Sequence, residues 1–496
     1  MEGARTLWTS FAARTEAVHN DGDTAEFKVT LPADAPVGIA AVRVANGKGV
    51  SSLHLMMVDD LPSVADNGTN NSAKAAQPLT LRMAVDGQCE SYQMDYYKFT
   101  AKKGQRVSVE VVAQRLGSAL DPFVRLLDAA GRELAFSDDA PGLGRDCRFA
   151  HTFAAAGEYV VEVRDMVYQG GAKHRYRLRL GDFPFIATPF PLAVQEGQSA
   201  EVAFVGPDAD ALRAVRVNAP HDATGLMLSA RLPRGAGSGF TSLPLSPMKE
   251  LVESEPNNTA ELATEAGLPC AVSGRFDRAG DDEWIEFTAR KDQKLVIDGR
   301  RLFGSPSELF LTLHNAKGDK LAETKLNNEG EGEALLAHTC KEDGVHRLRV
   351  TELARRGGAE YTWRVELKPS AGFDLTTDVD KVEAEAGGTF TLKVTADRRD
   401  YEGPIALEVR GLGEGVTVED NVIAEKKKDT TLKVKLPATL KAGDVAAFSV
   451  IGRAKIGETD YRAPVSIAPV LKKLYPDLRN APDALAGSLA VGVKGP

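Results

Sequence analysis

The chain is poor in cysteine, with four in 496 residues, and poor in aromatics at 6%. Four thiols cannot staple a chain of this length, and none stand in the CxxC pairs that zinc modules use. No run reaches the ~18 consecutive apolar residues of a spanning helix, so membrane insertion is not expected. A basic excess is also missing: 61 Lys and Arg against 70 Asp and Glu leave a formal charge of -9, which argues against nucleic acid as a partner. The start, MEGARTLWTSF, has neither the basic nor the apolar region of a secretory signal peptide. Catalytic signatures are equally scarce. The eight histidines include no HExxH, and Ser238 in AGSGF lacks the upstream glycine of a nucleophile elbow. GLGEGV at Gly411 has no lysine or helix after it to make a phosphate loop. No enzyme is expected.

What is present is alternation. EFKVTL from Glu26, RVSVEVV from Arg106, EYVVEVR from Glu158, FTLKVTA from Phe390 and TLKVKL from Thr431 place apolar side chains at every second position. That period belongs to strands with one buried face. Turn formers such as DAAG at Asp128 and NAKG at Asn315 separate them, so strands recur about every 8 to 12 residues. The expectation is all-β: a string of β-sandwich domains, jelly-roll or Ig-like, with minor helix.

The text also repeats. YKFTAKKGQRVSVE from Tyr97 returns as IEFTARKDQKLVID from Ile285, and RLGSALDP from Arg115 as LFGSPSEL from Leu302. LDAAGRELA from Leu127 returns as HNAKGDKLA from His314, and TNNSAKAA from Thr69 as PNNTAELA from Pro256. Two copies of one module therefore occupy 66–181 and 253–368. Around them the chain divides into a partial IPT/TIG or Ig-like β unit at 1–60, a small β linker domain at 183–250, an Ig-like sandwich at 369–470 and a flexible tail at 471–496. Tandem modules in series suggest a rod-like molecule.

Both copies resemble the bacterial pre-peptidase C-terminal (PPC) domain. The resemblance rests on EPNN (Glu255 to Asn258), SGRFDRAGDDEWIEF from Ser273, the turn glycines Gly131 and Gly318, and AGEYVVEV from Ala156. In the second copy the closing strand departs from the pattern, as GVHRLRV from Gly344. The likeness covers under half of the chain. It implies a sandwich fold, export, and no catalysis by the module itself. A secreted, cell-surface or periplasmic protein, truncated at its N-terminus, would reconcile that with the missing signal peptide.

The candidate metal residues are Glu253, Glu255, Asn257 and Asn258 in ESEPNN, with Asp281 and Asp282 in the next hairpin. Hard cations such as Ca²⁺ take six to eight oxygens, which an acidic arm over an acidic turn could supply. In collagenase-type relatives the resemblance implies a calcium clamp, and Glu253, Glu255, Asn257 and Asp282 carry over, with Asp281 as alternate. The other reading is that Pro256 and the asparagines shape a turn and cap a short helix at Thr259. In the first copy Asp66, Gly68, Asn70 and Asn71 stand at these places, so Ca²⁺ is expected in the second copy only.

Tyr92, Tyr96 and Tyr168 are candidate ligand-binding residues, since amphipathic rings stack on polymers; Tyr97 is expected in the core. Each copy owns two cysteines, so Cys89 with Cys147 and Cys270 with Cys340 are the disulfide candidates in an oxidising compartment, against four buried free thiols. The expected function is that of a non-catalytic exported protein presenting adhesive modules to an extracellular polysaccharide or matrix protein. The alternatives are an accessory region serving the catalytic domain of a larger secreted peptidase or other hydrolase, and a structural spacer of the cell envelope.

Overall fold

The computed structural model describes residues 3–22, 24–221, 223–299, 304–325, 334–457 and 459–495; Leu302 and Phe303 of the repeated text fall outside them. It is about 52% strand and 5% helix, a string of β-sandwich domains. Alternation explains the strands. In Thr389–Arg399 the residues Phe390, Leu392, Val394 and Ala396 face inward while Thr389, Thr391 and Lys393 face water.

The two repeated segments fold with one strand order. In the first, one sheet runs Gln77–Pro78, Asp95–Ala101, Gly157–Asp165, Pro122–Asp128, Glu133–Ser137, and the facing sheet runs Ser63–Ala65, Met83–Gln88, Arg175–Gly181, Arg106–Val112, Cys147–Thr152. In the second, the same order is Thr264–Glu265, Asp282–Ala289, Gly344–Glu352, Leu309–Asn315, Lys320–Glu323 over Lys249–Val252, Cys270–Arg275, Thr362–Pro369, Lys294–Gly299, Ala334–Thr339. Each pair of sheets encloses its own apolar core, around Tyr97, Leu126 and Leu178 in one and Ile285, Leu311 and Trp363 in the other. Residues between them form two three-stranded sheets.

Two expectations about the ends are overturned. The stretch 471–495 is no loose tail: Leu489–Lys494 is a buried strand between Lys381–Glu385 and Val445–Ile456, because Leu489, Val491 and Val493 are apolar enough to complete the last core. Nor do the units form an open rod. Ala41, Leu53 and Leu55 of the first unit join that same core, and the buried Arg43 guanidinium meets Asp380 at 2.8 Å. The segment after helix Ala468–Leu474 ties further units together. Tyr475 donates to the Leu53 carbonyl at 2.9 Å and packs against Gly117 of the first sandwich, where a Cβ would lie 2.3 Å from its ring. Asp483 accepts from Ser242 of the small unit at 3.2 Å.

Candidate functional site

The acidic arm of the second copy continues the strand Lys249–Val252, with Glu253 N–H donating to the Ser273 carbonyl at 2.9 Å. It then folds over the start of Asp282–Ala289, where Trp284 N–H donates to the Asn257 carbonyl at 3.0 Å. Glu253 accepts from Arg275 N–H at 2.6 Å and from the Asn257 side-chain amide at 3.2 Å, and Glu255 accepts from Asn257 N–H at 3.2 Å. These bonds leave the carboxylates crowded. One oxygen each of Glu253, Glu255 and Glu283 lies within 4.8 Å of the others.

Glu283 is fully buried, with no N–H or hydroxyl donating to either oxygen and the Glu253 carboxyl as its polar neighbour; Oδ1 of the equally buried Asn257 has no partner. Burial, then the neighbouring Glu253 charge, pushes the Glu283 carboxyl far above the usual carboxylate range, and burial pushes Glu253 up as well. Gly274 makes the room. A Cβ there would stand 2.4 Å from Glu253 Oε2 and 2.2 Å from the Trp363 ring. Three carboxylates and an amide carbonyl thus stand close together, all of them oxygen donors of the kind hard cations take.

Strand parity corrects the acidic-turn assignment. Glu283 lies on the face that carries Ile285, Phe287 and Ala289 into the core, so Asp282 must point to the other side. There Asp282 pairs with Arg349 at 2.6 Å and with Arg355. Asp281 is buried but accepts from the Asn258 amide at 2.8 Å, with Arg278 at 3.6 Å, so Asn258 and Asp281 brace each other beside the cluster. The alternation DEWIEFTA was the signal that could have found Glu283. Thr259 precedes a short 3₁₀ turn, Ala260–Leu262, without capping it.

The first copy solves the same crowding with a phenol. Asp95 stands at the Glu283 position and Asn70 at that of Asn257, its backbone carbonyl accepting from Tyr96 N–H at 2.8 Å. Tyr176, in the place of Trp363, bonds to Asp95 at 2.6 Å and to the Tyr97 hydroxyl at 2.5 Å. Burial still pushes Asp95 up, to about 6.

Of the tyrosines, Tyr92 is 85% exposed and Tyr168 39%, and Tyr92 N–H donates to the Tyr168 carbonyl at 3.0 Å. Both hold left-handed backbone, φ 61° and 62°, which bulky residues rarely adopt. Arg164 lies over the rings of Tyr168 and Phe123, at 4.7 and 4.1 Å. Tyr96 does not belong to this surface. It is buried against Ala76, Leu127 and Val160, because the segment after the turn Ala73–Ala75 covers that face of the sheet. Tyr97 is in the core, as its pattern requires.

All four cysteines are free and buried, which corrects both disulfide pairings. Two strands separate the strand before Cys89 from that of Cys147, and two separate the strand of Cys270 from the one Cys340 follows. Three strand spacings of ~4.8 Å put the partners well beyond the ~7 Å Cα limit for a bridge. Cys147 instead donates to the Pro122 carbonyl at 2.7 Å.

No family model matches the chain. A stretch of 71 residues, 14% of the chain, is 38% identical to a probable subtilase-type serine protease from Deinococcus radiodurans, and covers 10% of that protein. The chain thus spans about a tenth of the curated relative it matches. Among solved structures it is similar to the pre-peptidase C-terminal domain of collagenase from Bacillus anthracis, at 16% identity and TM-score 0.18, covering 21% of this chain and 93% of that one. A second likeness, to the M60 catalytic domain with the CBM51-1 and CBM51-2 domains of ZmpB from Clostridium perfringens, has 9% identity and TM-score 0.16, covering 72% and 43%. Among the described residues, no helix is long and apolar enough to cross a membrane.

Proposed function

We propose that this chain is a non-catalytic, exported modular protein. Its two PPC-like sandwiches divide the work: the second is braced by Ca²⁺ and the first presents an aromatic surface to an extracellular polysaccharide or matrix protein. Glu253, Glu255, Glu283 and the Asn257 side-chain carbonyl would hold the ion, which supplies the positive charge that their burial calls for. The observation that carries the proposal is Glu283, a fully buried carboxyl whose polar neighbour is a second carboxyl, that of Glu253. Tyr92 and Tyr168 support the second half, since strained backbone at exposed rings is retained where a surface is used. Weak single contacts would gain strength from the neighbouring modules.

Calorimetry of the chelator-treated full chain with millimolar Ca²⁺ tests the first half. Heat and a rise in melting temperature are expected, both lost in Glu283→Gln; silence in the wild type overturns it. A screen of immobilised glycans and collagen tests the second, with Tyr92→Ala expected to lower any retention. Retention nowhere would leave a spacer. The 71-residue likeness to a subtilase-type protease favours a second reading, an accessory region of a larger secreted peptidase. Coding sequence for a protease domain upstream of Met1 would decide for it.

A further inference from the structure

A second ligand cluster lies at another corner of the second sandwich, away from the acidic arm. Ring nitrogens of His338 and His346 and the Cys340 sulfur lie within 4.8 Å of one another. None of the three is drawn together by sequence spacing alone. His338 ends the core-facing row of Ala334–Thr339, Cys340 follows that strand, and His346 begins the inward row His346, Leu348, Val350 of the opposite sheet. The hairpin crossing from sheet to sheet folds them into one corner.

The first copy provides the comparison. His151 pairs with Val107 as His338 pairs with Leu295, and Tyr159 pairs with Phe99 as His346 pairs with Phe287. Phe153 exchanges backbone bonds with Gly104 and Gln105, as Cys340 does with Asp292 and Gln293. The equivalent trio is therefore His151, Phe153 and Tyr159, and it is packed ring on ring, with centroids 4.9 Å apart for His151 and Phe153 and 4.2 Å for Phe153 and Tyr159. In the second copy a thiol replaces the phenylalanine and an imidazole the tyrosine.

That exchange removes apolar volume and leaves polar atoms buried. Cys340 is fully buried and His346 is 5% exposed, while Nε2 of His338 is buried without a hydrogen-bond partner. Such an exchange costs stability unless something binds the freed atoms. His346 Nδ1 meets the Gly344 carbonyl at 3.1 Å, so that nitrogen carries the proton and Nε2 keeps a lone pair. Two imidazoles and a thiol select a borderline-soft divalent ion and reject calcium.

We propose that His338, Cys340 and His346 form a zinc site, with the thiol binding as thiolate after releasing its proton to solvent and water taking the fourth tetrahedral position. The ion ties the edge of one sheet to the other where the first copy uses stacked rings. The test uses the reduced full chain, freed of metal by chelation and held in millimolar Ca²⁺ to occupy the oxygen cluster. Co²⁺ is expected to bind at one equivalent with the near-ultraviolet thiolate-to-cobalt absorption, and Zn²⁺ to displace it. Cys340→Ser should abolish that absorption. The pair Cys340→Phe with His346→Tyr, which rebuilds the trio of the first copy, should fold and bind no Co²⁺. Absence of the band in the wild type, or its persistence in Cys340→Ser, overturns the proposal.

Discussion

Arg43→Met is the sharpest probe of how the first unit is held. The guanidinium is buried, donating to the Asp380 carboxylate and to the Asp380 carbonyl, both at 2.8 Å, and to the Ser51 carbonyl at 3.0 Å. Burial works against its charge and Asp380 offsets the loss. Methionine keeps most of the packing volume but leaves the Asp380 carboxylate, 4% exposed as a residue, without a cation. Removing one partner of a buried pair costs about 3–5 kcal/mol. Asp380 would keep its bonds from Leu53 N–H at 2.9 Å and Ser52 Oγ at 3.3 Å, which places the cost near the lower end. At 2–4 °C per kcal/mol for a domain of this size, the last sandwich should melt roughly 6–12 °C lower. Calorimetric scanning of the full chain reads this. The double variant Arg43→Met with Asp380→Leu removes both charges and should recover most of the loss. A single variant melting within about 1 °C of the wild type would refute the reasoning, since a buried charge cannot be orphaned without cost.

Other outcomes follow from the same structure. Glu253 and Glu283 hold protons in the ion-free fold that the unfolded chain releases near pH 4.5, so their contribution is present at lower pH and is lost as pH rises through neutrality. Chelated protein should therefore melt lower at pH 8 than at pH 5, a slope that Ca²⁺ removes and Glu283→Gln flattens; a rising slope would contradict the raised values. Tyr92→Gly relieves left-handed strain and should leave the fold as stable or up to about 1 kcal/mol more so, while polymer retention falls. In the metal-free protein the four thiols should resist a maleimide in the native state and all react in denaturant, because burial both hides them and holds them as thiols.

Much of the fold was legible. Period-two alternation marked the strands, and the repeated text marked two segments that share one strand order. The oxygen cluster was half legible: Glu253, Glu255 and Asn257 follow from the ESEPNN text, but choosing between Asp282 and Glu283 needed the parity of a strand whose inward face is fixed by Ile285 and Phe287. Tyr96 was misjudged because alternation says which side of a sheet a residue takes, not whether a turn covers that side. Arg43 with Asp380, and His338 with Cys340 and His346, are joined by folding across sheets or across 337 positions of chain, and local pattern holds no trace of such meetings.

The closure of the chain on itself sets an order of events during synthesis. Each repeated sandwich owns a complete core and can condense as soon as its last strand has emerged. The first unit cannot. Leu53, Leu55 and Arg43 wait for partners made more than three hundred residues later, and Gly47 receives its bond from Gly495 N–H, at 2.8 Å, later still. Until then an apolar patch and an unmatched cation of that unit stand in the open while every element in between is made.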